Sequence, residues 1–430
     1  MENITTKLVL CFVLLGLLFI LFVYGYSNMT GKLLYALLIF INGLLILRSL
    51  LIKNYIVLII STYILLYIQV LYFLFYKNIQ LSVFVDFNNE FYFYKSACII
   101  CLFLILFYLF LRIYPDDKLM YFQNKDSNAV FLFSVISFSL MMIFGLNGEN
   151  ILESGGYGKG ESNGSFLFEY GLIFFCAAYL YSGNSIKKKR LLLLLSVLYV
   201  LKSLLYGGRI AVLELMLAWF FLYFQYRIKL KTILLFVCFF YYSMLIIGAL
   251  RSDITLLSSL NIIDILTMDK KGSVPDMIVS QEADANYAAV RLIAFADEQI
   301  VIFTDRIYSL FLFVCSIFLP YSILPSCARP ADMLREYPTG GGGLITAYFY
   351  FYASYIGVIF IAIYMAISLS VKRGNIALKY NNLYLMFLFI TLPRWFAYNP
   401  ISIFKMSLYG VFIIKFIDYL YMKYHFKLIK

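Results

Sequence analysis

Leu8-Val-Leu-Cys-Phe-Val-Leu-Leu-Gly-Leu-Leu-Phe-Ile-Leu-Phe-Val-Tyr-Gly-Tyr26 contains no charged residue. At about 1.5 Å of rise per residue, a helix of this length spans the roughly 30 Å hydrocarbon core of a bilayer. The run is continuous and does not alternate apolar with polar, so it is not a barrel strand. It lacks a small-residue cleavage site and reads as a first spanning helix, not a removable signal. Similar runs follow near 33–47, 55–76, 97–114, 129–146, 166–181, 191–206, 210–226 and 232–250, then 306–324, 343–371, 383–398 and 401–422. The fold class expected is an all-α polytopic integral membrane protein, one membrane domain over residues 1–430.

Composition agrees. Of 430 residues, 63% are hydrophobic and 13% charged, about half the charge of a soluble domain. The net charge of +12, from 35 Lys plus Arg against 23 Asp plus Glu, sits in short loops and tails. That is the pattern of cytoplasmic anchoring, and no basic domain exists to bind nucleic acid. Cys11, Cys98, Cys101, Cys176, Cys238 and Cys315 lie inside apolar runs, where cysteine acts as a small hydrophobe. Only Cys327 lies in a polar region. The single histidine, His425, lies in the tail among Lys423, Lys427 and Lys430. No histidine-based metal centre or catalytic dyad is expected, and no cofactor.

Lys and Arg in short loops set the orientation. Lys187-Lys188-Lys189-Arg190 marks a cytoplasmic loop, as do Arg227, Lys229 and Lys231. Counting back places Arg48 with Lys53, and Arg112 with Lys118 and Lys125, on that same side, with the N-terminus inside. Gly148–Asn163 and the charged stretch 251–305 then face outward. Lys372, Arg373, Lys379 and the tail after Lys423 also read as cytoplasmic, so one net crossing is needed between Arg251 and Lys372. The 306–324 run leads into Leu-Pro-Tyr-Ser-Ile-Leu-Pro (319–325), and prolines end helices. It is read as a re-entrant or interfacial element within 306–342, giving about twelve spans with both termini inside. An ordinary thirteenth span is the alternative.

The polar interruptions are where chemistry is expected. Arg209, in Leu-Leu-Tyr-Gly-Gly-Arg-Ile-Ala-Val-Leu (204–213), follows two glycines that permit a sharp turn. Its planar fork suits phosphate or diphosphate; the competing reading is an arginine that snorkels to headgroups. Glu214 is five positions on, roughly 140° round the helix, so the two are not a simple pair. Arg251 opens the large loop, and Arg291 lies in Asn-Tyr-Ala-Ala-Val-Arg-Leu-Ile-Ala-Phe (286–295), read as an amphipathic helix on the membrane. Three cations on a face where the charge rule expects few point to anion binding. A second polar island, 328–343, carries Arg329, Arg335, Glu336 and four glycines, which are either amide donors to oxyanions or a hinge. Arg394 is a further outward cation.

These segments resemble the O-antigen polymerases of the Wzy type and, more distantly, the O-antigen ligases. Residues 204–213 are similar to a small-residue–Arg element beginning a helix. Gly-Ala-Leu-Arg-Ser-Asp (248–253) resembles the arginine-led start of the outer loop, and 340–359 the family's glycine-led helix. The acidic residue usual in that last element is absent, with Tyr348 or a neighbour in its place, and the ligases' loop histidine has no counterpart. The resemblance implies a bacterial inner-membrane enzyme that moves a glycan from undecaprenyl diphosphate to the next lipid-linked repeat unit. It implies Arg209, Arg251 and Arg291 as the diphosphate-holding catalytic set, with Asp253, Arg329, Arg335, Glu336 and Arg394 contacting substrate. Asp253, Glu282, Asp284 and Glu336 are the candidate proton acceptors. A chain-length regulator membrane protein is the implied partner. The rival from another class is a lipid-linked oligosaccharide flippase, also about twelve helices with interior cations; a non-catalytic scaffold is a third reading.

The topology is testable on a chain freed of its 7 cysteines. Single cysteines at Ser154, Ser273 and Ser326 are expected to react with an impermeant thiol reagent from outside, and those at Ser185 and Asn381 are not. Labelling at Ser326 only after permeabilisation would make 306–324 an ordinary span.

Overall fold

The computed structural model describes residues 4–77, 90–113, 125–145, 166–205, 209–224, 231–232, 235, 281–320, 323–328, 330, 342–370 and 378–425. Among these residues the chain is all helical. The helices are α1 (Ile4–Tyr24), α2 (Asn28–Ile52), α3 (Tyr55–Lys77), α4 (Glu90–Phe110), α5 (Asn128–Phe144), α6 (Phe166–Leu180) and α7 (Ile186–Leu205). They continue with α8 (Arg209–Trp219, running into a π-helical turn, Phe220–Phe224), α9 (Gln281–Asp297), α10 (Phe303–Cys315), α11 (Ile345–Leu369), α12 (Leu378–Ile390), α13 (Leu392–Ala397) and α14 (Ile401–His425). Five of them, α1 to α4 and α11, are long and apolar enough to cross a membrane. The chain divides into two compact units.

The first unit holds α1–α4, α9–α11, most of α13 and the first turn of α14. Local chemistry sets its turns. Ser27 and Thr30 form a capping box that starts α2. Lys53 turns left-handed at φ 59° to close α2, and the Asn54 side chain then accepts from the Val57 amide at 2.9 Å to start α3. α2 and α3 press together at Gly31, where a β-carbon would stand 2.9 Å from the Phe75 ring. One end of the unit is basic. There Lys7 donates to the Leu111 carbonyl at 2.9 Å, Arg48 and Lys7 lie over the Tyr108 ring, and the Arg112 amide donates to Ser370 Oγ at 2.8 Å. This gathers Lys7, Arg48, Arg112 and the C-terminus of α11, the grouping that the short-loop charges call for. At the other end Tyr94 donates to the Leu21 carbonyl at 2.6 Å. Tyr26, pushed up to about 12 by burial and by its hydrogen bond to Glu90, ties the α1–α2 turn to the start of α4.

The second unit holds α5–α8, most of α12 and the remainder of α14. Segments 125–127 and 180–183 run side by side, with the Lys125 amide donating to the Leu180 carbonyl and Gly183 to that of Lys125. Gly183 is required there, since φ is +58° and a β-carbon would lie 2.8 Å from Asp126 Cγ. Asp418 accepts from Lys125 at 2.8 Å and from the Tyr181 hydroxyl, while Lys188 pairs with Asp126 at 2.6 Å. At α5's other end Lys202 donates to the Met142 and Ile143 carbonyls at 2.7 and 2.8 Å, a cation on the last turn of a helix. α12 and α14 meet at Gly410, 2.4 Å from the Phe387 ring for a built β-carbon.

Several sequence readings change. The Lys187–Arg190 cluster is the first turn of α7, not a loop; cations there oppose the helix dipole, so the dipole rule hides the start. The 383–398 run is two helices parted at Thr391, because Pro393 withdraws a donor and disfavours helix before it. The 281–297 helix does not lie at a surface. From Ala285 to Ala296 every residue is buried, its alanines admitting close approach to α3, α4 and α11. Within 306–324 the helix is α10, about 20 Å long and too short to cross a bilayer core. Beyond it the chain doubles back, Ser309 Oγ donating to the Cys327 carbonyl at 2.7 Å. The 232–250 run lies outside the described residues except for 232 and 235.

α11 is interrupted. Ala353 (φ −138°, ψ 27°) and Ser354 (φ 53°, ψ −142°) leave the helix, and Gly357 resumes it so close that a β-carbon would sit 2.0 Å from the Phe349 carbonyl oxygen. The obstacle is backbone, which cannot rotate away. Gly357→Ala is therefore expected to lower thermal stability in detergent by about 1–3 kcal/mol or more. Gly43→Ala, where nothing lies within 4 Å, is the matched control and is expected to be neutral or slightly stabilising.

Candidate functional site

Two polar centres form inside the first unit. Arg291 is 1% exposed, its guanidinium 5.5 Å from the Tyr287 ring and 5.6 Å from the Phe295 ring, one helical turn to either side. Asn286, on the same helix, donates to the Tyr67 carbonyl at 3.1 Å and to that of Glu282 at 2.8 Å. Tyr67 and Tyr63 share a hydrogen bond of 2.9 Å and both pack on Phe396. Gly342 and Gly343 join this centre to α13. The Gly343 amide donates to the Ala397 carbonyl at 3.1 Å, and a β-carbon on Gly343 would touch Leu292 at 3.1 Å. The last of the four glycines thus spends its amide inside the protein and serves close packing. Arg394, half-buried, opens the turn in which its carbonyl accepts from Tyr398 and Asn399.

The second centre surrounds the break in α11. Asp297, the last residue of α9, pairs with Lys95 of α4 at 2.5 Å through one oxygen and accepts from the Tyr350 hydroxyl at 2.7 Å through the other. Lys95 also lies 5.2 Å from the Tyr350 ring centre, and the Tyr355 ring meets Tyr350 edge-on at 5.2 Å. Arg306 of α10, 6% exposed, donates from Nη1 to the Phe351 carbonyl at 3.2 Å, two residues before the helix breaks. A cation on the carbonyls that end a helix is electrostatically favourable. Irregular backbone at membrane depth is tolerated where protein encloses it or where it lines a cavity.

The sequence-predicted residues are only partly gathered. Arg291 and Arg394 belong to the first unit, and Arg209 begins α8 in the second. Arg251, Asp253, Arg329, Arg335 and Glu336 lie outside the described residues. Of the candidate proton acceptors, Glu282 is half-buried and Asp284 exposed on the first turn of α9. Sequence reasoning passed over Lys95, Arg306 and Tyr350. Lys95 and Arg306 each stand at the edge of an apolar run, where a cation reads as a headgroup anchor. Among the described residues no group of three or more His, Cys, Asp or Glu could hold a metal ion. Comparisons with models of known families, with curated proteins and with solved structures found no match.

The Lys95–Asp297 pair is largely enclosed, with side-chain exposures of 14% and 21%. Removing one partner of such a pair leaves a charge in a poor solvent, an effect of about 3–5 kcal/mol where burial is complete. Lys95→Met is expected to destabilise the protein more than Lys95→Met with Asp297→Asn. A thermal-unfolding double-mutant cycle measures the coupling, and additive single effects would show the pair to be energetically idle.

Proposed function

We propose that the chain is an O-antigen polymerase of the Wzy type, a glycosyltransferase of the bacterial inner membrane with lipid-diphosphate donor and acceptor. The single observation that carries the reading is Arg291, a guanidinium enclosed in a bundle of helices long enough to span a membrane. Ionisable groups at that depth are functional by default, because enclosing them is unfavourable otherwise. The resemblance of 204–213, 248–253 and 340–359 supplies the reaction. In this reading about twelve helices span, both termini are cytoplasmic, 251–305 is the outer loop and 306–342 a re-entrant segment. The Glu90 end of the first unit then faces outward, on the side where lipid-linked repeat units are presented.

The transfer makes one bond and breaks one. A hydroxyl oxygen of the acceptor sugar attacks the anomeric carbon of the donor, whose bond to the diphosphate breaks with its electron pair. The hydroxyl proton passes to a carboxylate, for which Glu282 and Asp284 sit on the same helix as Arg291. Charge gathers on the departing diphosphate, and preorganised cations lower the barrier by stabilising it there. Arg209, Arg251 and Arg291 fill that role in this reading, with Asp253, Arg329, Arg335, Glu336 and Arg394 contacting the glycan or its carrier. A chain-length regulator is the expected membrane partner.

A flippase is the second reading, and the broken α11 favours it, since interrupted helices line the sites of many transporters. Deleting the gene separates the two. A polymerase leaves surface polysaccharide one repeat unit long, whereas loss of every repeat unit identifies a flippase. Within the polymerase reading, Arg209→Lys and Arg291→Lys keep charge but lose the planar fork. Each is expected to reduce polymerisation by about 10²–10³ at normal protein level. Wild-type chain lengths from either variant would remove that arginine from the site.

A further inference from the structure

Arg306 differs from the other cations near the break. Lys95 and Asp297 form a contact ion pair, so with Arg306 the three charges leave one net positive charge beside the break. Among the described residues no carboxylate lies within 4.0 Å of the Arg306 guanidinium, and its buried Nε has no hydrogen-bond partner. Its hydrogen bond goes to a neutral carbonyl, that of Phe351, the Phe303 ring lies at 5.3 Å, and the Asp297 carboxylate, already paired with Lys95, acts on it only from beyond 4.0 Å. Enclosing an arginine on those terms is unfavourable unless an anion completes it. The first turn of α10 also borders a lipid-like surface. Phe303, Ile307, Phe311 and Val314 lie along one face of the helix and are exposed. Guanidinium and apolar ridge therefore sit side by side.

We propose that Arg306, at the break in α11, seats the phosphate end of an anionic amphiphile whose hydrocarbon chain lies along the Phe303–Ile307–Phe311 face of α10. The fork of the guanidinium matches two phosphate oxygens, and Nε–H with an Nη N–H is the free edge from which a bidentate contact forms. The identity of the amphiphile as a polyprenyl diphosphate rests on the proposed function; the seat itself does not.

The test uses the full chain in phosphatidylcholine nanodiscs, with p-benzoyl-phenylalanine replacing Ile307 and, as a control, Phe412, which is exposed on α14. Radiolabelled undecaprenyl diphosphate is expected to crosslink at position 307 and not at 412. Excess unlabelled undecaprenyl diphosphate suppresses the adduct; undecaprenol does not. Arg306→Gln is expected to lower it about tenfold or more, the loss of a charge-assisted contact, with Arg306→Lys in between. Equal crosslinking in Arg306→Gln overturns the proposal. Suppression by phosphatidylglycerol as strong as by undecaprenyl diphosphate upholds a seat for anionic amphiphiles and overturns its assignment to a polyprenyl diphosphate. Suppression by inorganic pyrophosphate at the same concentration as the lipid removes the apolar ridge from the seat. Should Arg306→Gln not fold, absence of the position-307 adduct in the otherwise unaltered chain overturns the seat by itself. A seat without a single-repeat deletion phenotype sinks the polymerase reading alone; that phenotype without a seat sinks this one alone.

Discussion

A helix interrupted inside a bilayer must find protein partners for the backbone groups it releases, because hydrocarbon offers none. In this chain the interruption is at Ala353 and Ser354 of α11, and the neighbouring elements are disposed to support it. Arg306 holds the Phe351 carbonyl, Tyr350 reaches Asp297, and Gly357 lets the resumed helix lie against the Phe349 carbonyl. α9 ends at Asp297 and α10 begins six residues on, so one short connection delivers both an acid and a guanidinium to the break. The kinked helix, the buried α9 and the short α10 form one interdependent arrangement.

Cations resting on helix-ending carbonyls recur throughout. Lys7 holds Leu111 beyond α4, Lys202 holds the last turn of α5, and Arg306 holds the first half of α11. Lipid tails are as apolar as leucine, so burial alone gives two spanning helices little reason to associate. Polar side chains that reach a neighbour's unpaired carbonyls supply register and direction as well as attraction. Close approach at Gly31 and Gly410 supplies the remainder through dispersion.

The fold class was legible because apolar length is a coarse signal that no local detail overturns. α1 to α4 and α11 all appear where continuous apolar sequence predicts them. α9 was legible as a helix but not as an enclosed one. Its alanines and acids resemble an interfacial helix, and enclosure depends on neighbours far away in sequence. The break in α11 had almost no signal: Ala353 and Ser354 are unremarkable in a membrane helix, and only Gly357 hints at close backbone approach. Of the residues in the two polar centres, Arg291 was singled out in the sequence by its charge. Lys95, Arg306 and Tyr350 were not, since an ion pair spanning Lys95 and Asp297 carries no local pattern.

The two ends of α1 are latched to α4 by Lys7 on the Leu111 carbonyl and by Tyr94 on the Leu21 carbonyl, while most of its surface stays exposed. During synthesis α1 enters the bilayer before α4 exists, and α2 and α3 must be made in between. Its final partner therefore arrives late, and the helix waits as an independent span whose Lys7 has only headgroups and water to contact. α4 then reaches back past α2 and α3 to α1, and α9–α11 and α13 join the first unit later still, so the order in which the chain is made and the order in which it packs are different.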